Sequence, residues 1–148
     1  MSTTMAFTSP VHGGLTDLVD RIVPAEERWN DLPKIQVNET DRTTLYRIAD
    51  GTLSPLTGPM NEADYHSVLA KAAIERDGKL WAWGIPTILP VTDAEAEAMA
   101  NGGEFALCDE DGVFGVISGV AVYEWTKQEF LEGVYGTERH DHPGANLW

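Results

Sequence analysis

Hydrophobic and polar positions divide the chain into a first part rich in helical patterns and a second part rich in strand patterns. Beyond Asn61, apolar side chains repeat at helical spacing, at Tyr65, Val68, Leu69 and Ala72. Asn61 followed by two acidic residues is typical of a helix start, because its side chain caps free backbone N–H groups. The pattern predicts an amphipathic helix from Asn61 to about Ile74.

Four further helices are predicted from start and stop signals. Pro24 stands where a first helical residue would, with acidic residues after it, and favours a helix beginning there. A second helix is predicted over Thr43–Ala49, ended by a glycine. Two sequences of the capping-box type, Thr92–Glu95 and Thr126–Glu129, predict helices that run to about Ala100 and to near Gly136.

Strand patterns in the first part are short. Lys34–Val37 alternates between polar and apolar residues, and an Asp–Gly turn within Arg76–Lys79 predicts a reversal into a strand over Leu80–Trp83. The apolar run Ile85–Val91 contains two prolines, which cannot donate to a central ladder. We therefore expect that run at a sheet edge, a bulge or a strand end.

The second part predicts a hairpin. Glu104–Cys108 and Val113–Val122 are apolar runs joined by the turn Asp109–Gly112. Gly115 and Gly119 within the second run predict bulges or a close backbone approach. Helices followed by hairpin strands favour an α+β fold over a parallel sheet.

The segment Leu53–Asn61 predicts a shaped loop rather than a helix or strand. Pro55 and Pro59 fix their own φ angles and restrict the residues before them, and Gly58 is free to take a positive φ. Its order Ser-Pro-Leu-Thr-Gly-Pro-Met resembles the S-P-L-T-G-F-M signature in the N-terminal domain of sulfate adenylyltransferases.

Other landmarks of that family domain recur in the same order. His12–Leu15 with Arg21–Pro24 is similar to the P-H-G-G…R-x-V-P opening, and Lys79–Val91 is similar to the L-W-P-I-P-I-T-L-x-V segment. Val134–Thr137 with His142–Gly144 is similar to the closing V-F-G-T…H-P-G. The chain departs from the pattern at three places, where Val11 replaces Pro, Pro59 replaces Phe and Trp83–Gly84 lengthen the tryptophan segment.

The resemblance implies a small PUA-like β-barrel flanked by helices. We expect a flexible N-terminal tail over residues 1–10 and a single PUA-like domain over residues 11–148. The resembling enzymes make adenosine 5′-phosphosulfate and pyrophosphate from ATP and sulfate, in sulfate assimilation or sulfur oxidation. Their catalytic Q-x-R-N, H-x-x-H and G-R-D motifs lie in the following domain, and none of the three occurs in this chain.

Charge excludes some classes of function. The chain has 148 residues and a formal net charge of −14, with eight Lys and Arg against twelve Asp and Glu in residues 1–79, and two against twelve in residues 80–148. Nucleic-acid binding depends on cations that neutralise phosphates, so we expect no nucleic-acid partner. The sequence shows no apolar run of membrane-spanning length and no signal-peptide pattern, and we expect no membrane contact and a cytoplasmic location.

Residues that could carry chemistry each have a plainer interpretation. The single Cys108 lies in an apolar run and is interpreted as a small buried hydrophobic residue rather than a reactive thiol. His140 and His142 could both reach one metal ion, and Asp109–Asp111 could hold a weak divalent site, but further ligands are lacking and a turn is favoured for each. His12 beside two glycines could form an anion nest, although a chain entry with positive φ is favoured.

No catalytic, cofactor-binding or metal-binding residue is therefore assigned, and we expect no cofactor. The sequence contains no Gly-rich nucleotide motif. We expect the chain to be inert alone and to dock on a catalytic domain or a partner protein subunit, and homo-oligomerisation remains open. The alternative is a free-standing PUA-like accessory subunit that binds a different partner protein.

The candidate docking loop comprises Ser54, Pro55, Leu56, Thr57, Gly58, Pro59 and Met60. The surface around Trp81 and Trp83 is a second candidate contact, because aromatic residues anchor interfaces. The opposing interpretation, that these tryptophans belong to the core, is equally open from the sequence.

Overall fold

The structure is a computed structural model that describes residues 11–144. The expected flexible tail over residues 1–10, and residues 145–148 of the expected domain, lie outside the described residues. The helices are α1 (Glu39–Ala49), α2 (Glu62–Lys71), α3 (Asp93–Ala100) and α4 (Lys127–Tyr135), and the strands are β1 (Lys34–Gln36), β2 (Ala73–Arg76), β3 (Lys79–Ala82), β4 (Glu104–Asp109) and β5 (Gly112–Ser118). Two short 3₁₀ helices span His12–Gly14 and Glu27–Asp31. This content confirms the α+β class.

The strands of the described residues form two sheets. One sheet has the order β1-β4-β5, with β1 parallel to β4 and β4 antiparallel to β5, and the other pairs β2 with β3. The β2–β3 hairpin turns through Asp77 and Gly78, whose φ angles are 52° and 72°. That confirms the predicted Asp–Gly reversal. Residues 11–144 form no closed sheet.

The predicted hairpin of β4 and β5 carries a bulge next to Gly115, one of the two glycines at which a bulge or close approach was predicted. Leu107 lies opposite Gly115 whereas Cys108 lies opposite Val113, so that Phe114 is the extra residue on β5. The strand ends at Ser118 rather than at Val122, because Gly119 turns the chain with a φ of 63°.

Side-chain caps explain where the helices begin. Asn38, Asn61, Thr92 and Thr126 each precede a helix, and each side chain accepts a hydrogen bond from the backbone N–H three residues later. At α3 the reciprocal bond from the Thr92 N–H to Glu95 completes the predicted capping box. Helix α1 begins one turn before the predicted start at Thr43, because the Asn38 side chain provides a cap that the prediction did not use.

Two other element predictions need correction. The helix predicted from Pro24 is absent, since Glu26 is extended and only a 3₁₀ turn follows. So short a segment cannot by itself offset the free-energy cost of helix nucleation. The helix predicted to reach Ile74 ends at Lys71, where Ala72 takes a left-handed conformation. Ala73 and Ile74, the last residues of the predicted helix, belong instead to β2 and pair with β3, and Ile74 is completely buried.

The run Ile85–Val91 lies outside the strands of the structure and follows the end of β3. Its two prolines explain why it does not continue the ladder. The segment nevertheless contributes to the core, because Ile88 is buried and the Thr87 carbonyl accepts a hydrogen bond from the Met60 N–H at 2.8 Å.

Most of the buried hydrophobic side chains in residues 11–144 form two clusters. The helix cluster consists of Ile48, Leu56, Met60, Tyr65, Val68, Ile74, Ile88 and Phe130. The sheet cluster consists of Ile35, Val37, Met99, Phe105 and Leu107. The predicted docking loop contributes two residues to the helix cluster, so the loop and the core are built together.

Candidate functional site

The docking loop begins with a buried serine. Ser54 is 5% exposed, and its hydroxyl donates to the Gly51 carbonyl at 2.7 Å while it accepts from the Val19 N–H at 2.9 Å. The following Ser54–Pro55 peptide bond is cis. Ser54 thus joins the end of α1 to the N-terminal segment, and this contact was not predictable from residues so far apart in the sequence.

The far end of the loop is fixed at Met60. Its side chain is 3% exposed, its carbonyl accepts from the Tyr123 hydroxyl at 2.9 Å, and its N–H donates to Thr87. The Thr87 N–H in turn lies 3.3 Å from the Met60 sulfur. Thr87 and Tyr123 are therefore supporting residues of the loop that the sequence analysis missed.

Only the tip of the loop is accessible. Thr57 is exposed and Gly58 and Pro59 are half-buried, whereas Ser54, Pro55, Leu56 and Met60 are buried. Gly58 is not among the residues with positive φ, so the freedom expected there is not used. The loop leaves about three residues accessible to solvent, and the other four belong to the interior.

The motif His12–Gly14 packs over this loop and over β3. Gly13 and Gly14 have φ angles of 79° and 76°, and a Cβ atom on Gly13 would overlap the Pro55 ring. His12 lies edge-on to Trp81 with the ring centroids 5.4 Å apart, and its Nε2 is 2.9 Å from the Ala82 carbonyl oxygen. These contacts confirm the chain-entry interpretation of the two glycines.

Trp81 and Trp83 belong partly to the core, which is one of the two interpretations that the sequence left open. Both are half-buried and pack against the helix cluster. The Trp83 indole N–H lies 3.2 Å from the Thr87 hydroxyl, whereas the Trp81 indole N–H is buried and has no hydrogen-bond partner within residues 11–144. Both tryptophans therefore contribute to the core and remain partly accessible to solvent.

Two tyrosines lie beneath the loop. Tyr65 is fully buried, and its ring lies 5.6 Å from that of Tyr123. Burial, with a smaller effect of Glu129, raises the pKa of Tyr65 to about 12. Burial is also the main cause that raises the pKa of Tyr123. Both phenols are neutral at physiological pH and act as packing and hydrogen-bonding groups.

His142 and Asp109, which were considered as metal ligands, are engaged elsewhere. Arg139 binds Asp141 at 2.6 Å, and His142 accepts the Gly144 N–H at 3.1 Å while its ring lies against Tyr135. Asp109 forms an ion pair with Arg42. No group of three potential metal ligands occurs in the part of the chain that the structure describes.

Cys108 and His66 contact other parts of the fold. Cys108 is 4% exposed, and its thiol lies 3.5 Å from the Ile35 carbonyl oxygen, as expected for a small buried residue. His66 on α2 lies 3.4 Å from Glu129 on α4, a proximity that sequence spacing does not reveal. No helix among residues 11–144 is long and apolar enough to cross a membrane.

The fold and its landmarks define the class of protein. Residues 9–147 match the PUA-like domain family, and the chain belongs to that family. The chain is 61% identical over 145 residues to a sulfate adenylyltransferase of Pyropia yezoensis, with 97% of this chain and 34% of the relative covered.

More distant relatives carry the same description. The chain is 39% identical over 148 residues to a sulfate adenylyltransferase of Symbiobacterium thermophilum and 34% identical over 140 residues to one of Staphylothermus marinus, covering 95% and 90% of this chain and 36% and 35% of those relatives. The chain therefore spans about a third of the length of the curated relatives it matches.

Proposed function

We propose that this chain acts as the non-catalytic PUA-like domain of a sulfate adenylyltransferase and docks on the catalytic part of that enzyme. The observation that supports this role most is the 61% identity over 145 residues to a third of one such enzyme. The chain carries none of the three catalytic motifs that the family resemblance places in the following domain. The activity of the whole enzyme therefore belongs to the complete assembly and not to these residues alone.

The docking loop Ser54–Met60 is proposed as one contact with the catalytic part. The loop is held rigidly at both ends by Ser54 and by Met60, and its tip at Thr57 is exposed. A rigid tip on a buried base loses little conformational entropy on binding. A free-standing accessory subunit that binds another protein would use the same loop and is the alternative partner assignment.

Three further features of the protein belong to this proposal. We infer that residues 11–148 form a single domain, that its sheets belong to a small barrel, and that the protein works in the cytoplasm. The bulge at Phe114 supports the barrel, because bulges bend strands at barrel rims. Cys108, the single cysteine, is a free buried thiol, in keeping with a reducing compartment.

The experiment is an assay of adenosine 5′-phosphosulfate formation from ATP, Mg²⁺ and sulfate. The purified chain is expected to give no turnover above a protein-free control. A hybrid in which this chain replaces the matching third of the Pyropia yezoensis enzyme is expected to be active, because the identity of the two domains preserves the docking surface. Turnover by the chain alone, or a folded but inactive hybrid, would contradict the proposed function.

A further inference from the structure

A wide opening separates the two hydrophobic clusters of the domain. We call it the apolar cleft and define it by its walls, which are residues 20–23, α1, the docking loop, α3 and residues 114–126. It is open to solvent and has a volume of about 1900 Å³. A cleft of this size exceeds the roughly 300–1,000 Å³ of small-molecule pockets and can hold a polypeptide segment.

The mouth of the apolar cleft exposes large hydrophobic side chains. Ile22 and Val23 are 58% and 60% exposed on one wall, and Val122 is 39% exposed on another. Trp29 and Met99 are buried deeper in its lining. Contiguous apolar surface rimmed by polar groups is typical of protein interaction sites.

The rim of the cleft is anionic. Arg28 is paired with Glu26 and Glu104, and Arg76 is paired with Asp64, so these guanidinium groups are already neutralised. The remaining carboxylates on the rim, Asp20, Asp93, Glu97 and Glu124, form no ion pair within residues 11–144. Arg21 also lines the cleft, and its side chain forms no ion pair within residues 11–144. Four unpaired carboxylates therefore outnumber one unpaired guanidinium group.

We propose that the apolar cleft binds a polypeptide segment in which Lys or Arg residues alternate with apolar side chains, supplied by the catalytic part of the sulfate adenylyltransferase. This inference rests on the proposed function and adds to it a second, larger contact and the chemistry of the partner. The apolar side chains would enter between the clusters, and the cations would meet the carboxylates of α3 and Glu124. The relatives contain roughly twice as many residues outside the matched third as within it, which is ample to supply the segment.

A second copy of the same chain is the less suitable occupant. Each copy has a formal net charge of −14 and the same anionic rim, so two clefts brought together would repel each other. A cationic partner removes this repulsion and also increases the rate of encounter.

The first test uses the isolated chain and a short synthetic peptide of alternating Lys and Leu residues. Nuclear magnetic resonance should show shifts of backbone amides confined to residues 20–29, α3 and 114–126. The variant with Glu97→Lys and Glu124→Lys is expected to weaken binding at least tenfold. The matched control, with Glu110→Lys and Glu138→Lys, makes the same change in net charge away from the cleft and is expected to bind like the wild type. Equal weakening by both pairs, or shifts spread over the whole surface, would overturn the proposal.

The second test compares hydrogen exchange in the isolated chain and in the active hybrid. Amides of residues 20–29 and 114–126 should exchange at least tenfold more slowly in the hybrid, and the Glu97→Lys, Glu124→Lys pair should remove that protection. An active hybrid with unchanged exchange at the cleft would refute this inference while leaving the proposed function intact. A folded but inactive hybrid would refute the proposed function, and the peptide experiment would still decide whether the cleft prefers a cationic segment.

Other occupants are measured in the same experiments. If deletion of residues 1–10 makes the cleft amides of the isolated chain exchange faster, the chain fills its own cleft and the proposal is wrong. If protection of these amides rises with protein concentration and sedimentation shows a dimer, a second copy is the occupant and the proposal is also wrong. Monomeric protein with an unprotected cleft supports it.

Discussion

At the scale of single residues, Tyr65 and Tyr123 offer a matched test of how the docking loop is held. The Tyr123 hydroxyl donates to the Met60 carbonyl, whereas the Tyr65 hydroxyl is buried without a hydrogen-bond partner in the described part of the chain. Tyr123→Phe should lower the free energy of unfolding by about 1 kcal/mol, since it leaves a buried carbonyl unpaired. Tyr65→Phe should leave it within about 0.5 kcal/mol or raise it. Urea denaturation measures both, and a larger loss in Tyr65→Phe would contradict the assignment of these hydroxyls.

Gly13 tests the contact between the N-terminal turn and the docking loop. A Cβ at Gly13 would lie 2.7 Å from the Pro55 Cβ, in a backbone with a φ of 79°. Gly13→Ala should therefore cost about 2–4 kcal/mol, from backbone strain and overpacking together. Gly78 is the matched control, because its φ is 72° and a Cβ there meets nothing within 4 Å. Gly78→Ala should cost only about 1 kcal/mol in thermal or urea unfolding, and equal losses would show that the Pro55 contact is unimportant.

At the scale of elements, Glu95 connects the start of α3 to β1. Its carboxylate accepts hydrogen bonds from the Thr92 N–H and hydroxyl, both at 2.8 Å, and from the Gln36 N–H at 3.3 Å. Burial acts to raise the pKa of Glu95, but these hydrogen bonds together lower it below its ordinary value. The stabilisation is thus complete above the pKa of the unfolded chain and is lost as the pH falls through the lower pKa of the folded state.

Glu95→Gln should consequently destabilise the protein by about 0.5 kcal/mol at pH 7, a small effect because the carboxylate is partly exposed to solvent. The difference from the wild type should shrink as the pH falls through the pKa of Glu95 in the folded state, which lies below the ordinary value of a glutamate. Urea denaturation at several pH values measures it, with Glu97→Gln on the same helix as the control. A difference that persists unchanged in acid would show that the charge of Glu95 plays no part.

The same scale shows which elements a sequence can predict. The caps at Asn61, Thr92 and Thr126 and the Asp–Gly turn were predictable because their partners lie within a few residues. The strand over Ala73–Arg76 was missed because its helical spacing competes with pairing to β3, which the local pattern does not contain. The helix predicted from Pro24 was also wrong because contacts absent from the local pattern decide the structure. Burial of Trp29 and the ion pairs of Arg28 favour a 3₁₀ turn there.

At the scale of the whole molecule, the landmark motifs indicated the family but not how the docking loop would be exposed. The loop sequence signals a rigid turn, and the structure shows that Leu56 and Met60 are core residues while Thr57 remains outside. The supporting contacts from Val19, Thr87 and Tyr123 come from residues distant in the sequence. The apolar cleft was equally unpredictable, since it depends on how the two clusters are spaced.

The charge of the whole molecule gives the last prediction. Several of the ten Lys and Arg residues already form ion pairs, as Arg42 does with Asp109 and Arg139 with Asp141. Binding to phosphate or sulfate polymers requires free cations that displace counterions, and the second part of the chain has two Lys and Arg against twelve acidic residues. The protein should therefore pass through a heparin column at about 150 mM salt and show no shift of RNA in gel electrophoresis. Retention that weakens with added salt would demonstrate a cationic surface and would contradict the expectation of no nucleic-acid partner.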